Sequence, residues 1–182
     1  FGHGYTLHVC DLRPKSRGVI GLKSADPTAD ARIEPNYLSH PDDMKTMVKG
    51  VKAARKVLAA QAFDAYRGAE MFPGSHVQSD AQIEAFVREK AATIYHPVGT
   101  CKMGHDAMAV VDDTLKVHGM QGLRVVDASI MPTLVGGNTN APTVMIAEKA
   151  SSMILASRSV ERVVAMQQGV LQANEVQDSI PA

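Results

Sequence analysis

The sequence predicts an α+β fold, an antiparallel sheet with flanking helices followed by a C-terminal strand and helix, on three observations. Two strand-like runs, 5–10 and 18–23, flank a connection punctuated by Pro14 and Gly18, which reads as a hairpin. Two amphipathic helix signals come next, at 41–58 and from Ser79 onward. Farther on, Leu123-Arg124-Val125-Val126-Asp127 reads as a compact buried strand, and a Gly/Asn loop after it enters an apolar helix.

Each element has its own signal. In the hairpin connection, Arg13, Lys15 and Arg17 form a small basic cluster, read first as a solvated loop and second as an anion contact. Asp26-Pro27 turns the chain, and 31–36 reads as a short third strand. Met44, Met47, Val48, Val51, Ala54 and Leu58 recur at helical spacing, with the methionines as core filler. Pro41 suits a first turn, and Asp42 and Asp43 suit the positive end of a helix dipole. Ser79-Asp80-Ala81-Gln82 is a capping box, and Ile83, Phe86, Val87, Ala91 and Ile94 then share one face. Phe72-Pro73-Gly74-Ser75 is loop between the helices, and His40 and His76 sit in loop-like surroundings with no assigned role. Val110-Val111-Asp112 and 115–119 read as short strands around a turn. The stretch from Glu161 to Ala182 carries no site signal and reads as a fraying helix or a tail.

Composition narrows the function classes. At 182 residues the chain can bury a core, and 45% apolar with 21% charged residues is an ordinary globular balance. Nineteen basic and nineteen acidic residues give no global field for nucleic acid or an anionic membrane. No apolar run approaches the roughly 20 residues of a membrane helix. Cys10 and Cys101 are too few and too far apart for a disulfide framework or a zinc site, so no metal is expected. A reducing cytoplasm is the default location, with attachment at the inner membrane as the alternative.

The chemistry-bearing residues gather between Tyr95 and Lys149. A proline disfavours helical geometry in the residue before it, so His96, preceding Pro97, is expected at or just past the second helix's end. Asp127 closes its strand at the carboxyl end, where open α/β sheets place their ligands. Asn140 reads as an N-cap and Pro142 as a first-turn residue. Gly136-Gly137 let backbone lie against a flat ligand. A helix start carries about half a positive charge and suits developing negative charge. Taken alone, His96 and His118 are structural histidines more often than catalytic ones, and Cys101 is packing, since no activating base adjoins it.

Three stretches carry a resemblance: HPVGTCKMG at 96–104, GLRVVDASIMP at 122–132 and GNTNAPTVMIAEK at 137–149. With Arg13-Pro14-Lys15-Ser16-Arg17-Gly18 and the run from Asn36 to Asp43, they resemble the C-terminal region of the glucose–methanol–choline (GMC) family of flavin oxidoreductases. The likeness is greatest to its bacterial choline and alcohol dehydrogenases. The resemblance implies FAD as cofactor and a hydride moved to it from the CH–OH group of choline or a primary alcohol. It implies that His96 takes the hydroxyl proton, work that suits an imidazole near neutral pH. Asn138 matches the second catalytic position, which hydrogen-bonds the substrate oxygen. Asp127 and Ala128 match the segment along the FAD phosphates and ribityl chain. Asn140, Ala141 and Pro142 match the helix start beneath the flavin pyrimidine ring, where the dipole steadies the reduced flavin's charge.

One departure qualifies the match: no G-x-G-x-x-G occurs in the sequence. The expectation is therefore a C-terminal fragment, inactive alone, whose missing N-terminal FAD-binding region is a partner. In domain terms, 1–95 would be substrate domain, 96–158 would complete the active site and FAD domain, and 159–182 would be a tail. The other expected partners are a small alcohol and an electron acceptor, with no nucleic acid and no transmembrane segment; a homo-oligomer stays open. The rival readings are an alcohol oxidase or hydroxynitrile lyase of the same family, and a non-catalytic binding module.

Overall fold

Residues 18–36 fold back on themselves as two short antiparallel strands, β1 (Val19–Gly21) and β2 (Arg32–Glu34), with Ile20 opposite Ile33. The computed structural model describes residues 3–178, and the chain divides into two compact units. Unit 1 is Phe1–His96 with Leu134–Gly137; unit 2 is Pro97–Thr133 with Asn138–Ala182.

The expected hairpin is corrected. The 18–23 run supplies β1, but its partner is β2 from the third run, and 5–10 is not a strand. That segment lies instead along α1 (Pro41–Leu58), where Leu7, Val9 and Leu12 face Gly50, Ala53, Ala54 and Val57. Tyr5 stacks on Phe63 with ring centroids 5.5 Å apart. Apolar side-chain contact with a helix has replaced ladder pairing. The turn between β1 and β2 is the one Asp26-Pro27 signalled: Asp26 Oδ1 accepts from the Thr28 amide at 2.9 Å, and the Ala29 amide donates to the Asp26 carbonyl.

α1 has the predicted bounds and apolar stripe. Met44 and Val48 are buried with Val77, Ile83 and Val87, and Leu38, Met47, Val51 and Phe86 pack around them. The cap is His40, which has a role after all: its Nδ1 accepts from the Asp42 amide at 3.2 Å. α2 (Asp80–Lys90) carries the predicted capping box complete: the Gln82 amide donates to Ser79 Oγ and the Ser79 amide to Gln82 Oε1. It places Ile83 and Val87 on the α1 side. Arg55 of α1 clasps Glu70 through two hydrogen bonds of 2.8 and 3.0 Å and also donates to the Gly74 carbonyl.

All three basic residues are exposed, and each has a specific neighbour. Lys15 pairs with Asp42 at 2.7 Å, Arg17 donates to the carbonyls of Pro14 and Ser16, and Arg13 lies against Gly136. The segment is anchored by Asp43, which is only 3% exposed. Its carboxylate accepts the Lys15 amide at 2.8 Å, the Ser16 amide at 2.9 Å and the Ser16 hydroxyl. Burial pushes the Asp43 carboxyl up, but the Ser16 hydroxyl and the two amides outweigh it and hold the group below the usual carboxylate range.

In unit 2 the expected strands at 110–112 and 115–119 are single bridges. Val111 bridges Met103 on one side and Val117 on the other, around a turn in which Asp112 accepts from Thr114 and Lys116. The strand expected at 123–127 is likewise reduced to one bridge, Lys116 with Arg124. A strand needs a ladder on at least one edge, and among the described residues that segment has one pairing. Unit 2 buries Val111, Leu115, Ile130, Met131, Ile146 and Ala150. Its long helix α3 (Asn140–Asp178) contacts the 3-10 turn Ala128–Ile130. Of the expected tail, 159–178 continues α3, and 179–182 lie outside the described residues. Among the described residues no helix is long and apolar enough to cross a membrane.

Candidate active site

His96 is not set at the end of α2. That helix stops at Lys90, and its capping residue Ala91 is already extended at φ −63°, ψ 135°. The β-branched pair Thr93-Ile94 disfavours continuation, and the Thr93 hydroxyl offers the backbone another partner. The Tyr95 amide takes that offer, donating to Thr93 Oγ1 at 3.0 Å. Tyr95 then turns left-handed at φ +64°; it is 81% exposed, and the next residue, His96, is half-buried.

The loop that follows is strapped to the 128–131 segment. The Cys101 amide donates to the Ser129 carbonyl at 3.0 Å, and the Met103 amide to the Ile130 carbonyl at 2.7 Å. Gly99 makes this approach feasible. Its φ is +89°, and a Cβ there would stand 3.3 Å from the Met131 carbonyl oxygen. Lys102 grips both oxygens of Asp106 and holds that carboxyl below its ordinary range. Cys101 is half-buried, and His118 bonds through Nε2 to the Gly104 carbonyl at 3.0 Å, as expected of a structural histidine.

Asp127 closes no strand. It is the extended residue that caps the 3-10 turn Ala128–Ile130, with Oδ1 accepting the Ser129 amide at 2.7 Å. Its carboxylate is exposed.

At the start of α3, the first helical residue is Asn140, which moves the cap to Thr139 and corrects the expected N-cap. The Thr139 carbonyl accepts the Thr143 amide at 3.0 Å and the Thr143 hydroxyl at 2.7 Å, closing the first turn. Threonine serves as a cap almost as well as asparagine, so the pattern fitted either register. Pro142 falls in the first turn as expected. Thr139 is buried, while Asn138, Asn140 and Ala141 are exposed.

Asp127, Ala128, Asn138, Asn140, Ala141 and Pro142 therefore share unit 2, where the 3-10 turn contacts α3. His96 belongs to unit 1. A Cβ on Gly137 would meet nothing within 4 Å. Small, polar, exposed residues at the opening of a long helix suit a planar or anionic group presented to its positive end. Among the described residues no cluster of His, Cys, Asp or Glu would hold a metal ion. The residues least legible in advance were Thr93 and Tyr95, because a hydroxyl-to-amide bond two residues long leaves no periodic trace.

Residues 14–147 match the family described as GMC oxidoreductase. The alcohol dehydrogenase [acceptor] of Pseudomonas putida is 58% identical over 154 residues, which is 85% of this chain and 28% of that protein. The oxygen-dependent choline dehydrogenase of Klebsiella pneumoniae is 48% identical over 160 residues, 88% of this chain and 29% of the relative. An FAD-dependent oxidoreductase from Chaetomium thermophilum superposes with a TM-score of 0.77 at 28% identity, covering 81% of this chain and 26% of its own. The chain thus spans under a third of the length of the relatives it matches.

Proposed function

The chain belongs to the GMC oxidoreductase family, and from that premise we propose that it forms the C-terminal part of an FAD-dependent dehydrogenase oxidising the CH–OH group of choline or a primary alcohol. The observation that carries this reading is the span of the family match: 14–147 includes His96, Asp127, Ala128, Asn138 and the whole α3 start. FAD, when bound, supplies the acceptor for the hydride. The chain's own residues handle the rest. His96 takes the hydroxyl proton, and Asn138 donates a hydrogen bond to the substrate oxygen. Asp127 and Ala128 would hold the phosphates and ribityl chain, and Asn140, Ala141 and Pro142, at the start of α3, would hold the flavin ring. A cytoplasmic location belongs to the same proposal.

The test is made on the whole enzyme. With FAD and an artificial electron acceptor, choline or a primary alcohol should be turned over, and anaerobic alcohol should bleach the flavin. His96→Ala should cut turnover by about 100-fold or more, the scale of a general base. Substrate converted without anaerobic bleaching would replace the dehydrogenase with a lyase. A near-normal rate for His96→Ala would remove that residue from the mechanism.

A further inference from the structure

The backbone on either side of His96 is fixed by two unrelated devices. After it comes Pro97, which confines His96 to extended geometry. Before it comes Tyr95, one of four non-glycine residues with positive φ among the described residues, at +64°. A tyrosine gains nothing intrinsic from that conformation, which for an L-residue crowds Cβ against the carbonyl. Something outside the residue must hold it there. The bond from the Tyr95 amide to Thr93 Oγ1, 3.0 Å long, fixes the peptide plane from which Tyr95 makes that turn. The consequence is visible in exposure. Tyr95 is 81% exposed and lies outside the buried core, whereas Thr93 and His96 are half-buried. A left-handed residue redirects the chain, so it is the backbone of Tyr95 that sets how His96 departs from it.

We propose that Thr93 and Tyr95 are positioning residues for His96: the Thr93 hydroxyl fixes the backbone leading into Tyr95, and the left-handed turn at Tyr95 aims the imidazole. The proposal rests on the reading of His96 as the base. Substitutions at 93 and 95 act through His96 and touch no reacting atom, so they should lower kcat and leave KM nearly unchanged. Misplacement of a catalytic group by about 1 Å costs on the order of 100-fold, and a partial loss of the hold should cost about 10-fold or more.

The experiment compares pairs of variants in the whole FAD-loaded enzyme, with FAD content measured on each as the check on folding. Thr93→Val removes the hydroxyl at nearly constant shape; Thr93→Ser keeps it. Tyr95→Val and Tyr95→Asn both remove the ring, but asparagine tolerates the left-handed region and a β-branched residue does not. The expected result is a fall of about 10-fold or more in kcat for the two valine variants, with KM held. Thr93→Ser and Tyr95→Asn should stay within about 3-fold of the parent, since the first keeps the bond to the Tyr95 amide and the second tolerates the left-handed backbone. His96→Ala is run beside them. If it loses turnover while both valine variants keep theirs, the positioning role is overturned and the base assignment stands. If Tyr95→Asn falls as far as Tyr95→Val, the ring matters and not the backbone, which also overturns it. If His96→Ala is near normal, there is no base to position and both readings fall.

Discussion

Val9 rests on Gly50: a Cβ built at position 50 would overlap Val9 Cγ1. The glycine is interior to α1, where it costs about 1 kcal/mol relative to alanine. What it permits is the seating of the 5–10 segment along the helix. This explains why an alternating run that reads as a strand is not one.

The contact gives a prediction whose sign reverses with context. Gly50→Ala alone should destabilise the protein, because the short, branched Val9 side chain cannot swing clear of the new methyl. In a Val9→Ala background the same change should become neutral or stabilising by about 0.5–1 kcal/mol, as helix propensity is left to act. Urea midpoints of the four proteins in this double-mutant cycle measure the coupling. Additive midpoints would mean that 5–10 does not sit on Gly50.

A second prediction concerns pH. Asp43 has its carboxyl below the ordinary range in the fold, through the hydrogen bonds from Ser16 and the Lys15 amide that outweigh its burial. Its folded value lies under its unfolded one, so its contribution is complete above the ordinary carboxylate pKa of about 3.9. It is lost as pH falls through the folded value. Asp43→Asn turns one acceptor oxygen into a donor facing donors and should cost about 1–3 kcal/mol at pH 7. The gap between variant and parent in urea midpoint should narrow below pH of about 4. A gap that stays constant into acid would show that the charge of Asp43 is not what the Lys15–Ser16 segment needs.

What could be read in advance was local, and what could not was decided by partners far along the chain. The stripe from Met44 to Leu58 and the Ser79–Gln82 box carry their own geometry, so α1 and the start of α2 fell where the residues put them. The strand expected at 123–127 failed for the opposite reason: Val125 and Val126 suit a ladder, yet among the described residues only Lys116 bridges the segment. The helix start was right to within one residue, since Thr139 and Asn140 are both good caps and only the Thr139 carbonyl bond decides between them. At His96 the motif marked the residue but not its setting. A left-handed tyrosine is an outcome that propensity argues against.

Asp127 offers the last prediction, because two roles meet on one carboxylate. It caps the 3-10 turn through the Ser129 amide at 2.7 Å, and under the proposed function its segment also lies along FAD. Asparagine keeps the acceptor oxygen and loses the charge; alanine loses both. If the segment's backbone shape is what FAD needs, Asp127→Asn in the whole enzyme should retain FAD at the parent enzyme's stoichiometry after gel filtration. Asp127→Ala should lose part of its FAD and about 0.5–2 kcal/mol of stability, the usual worth of a cap. Equal FAD loss in both variants would shift the weight from the cap to the charge. Full FAD retention in the alanine variant, with its stability lowered, would leave Asp127 a capping residue and remove it from the cofactor site.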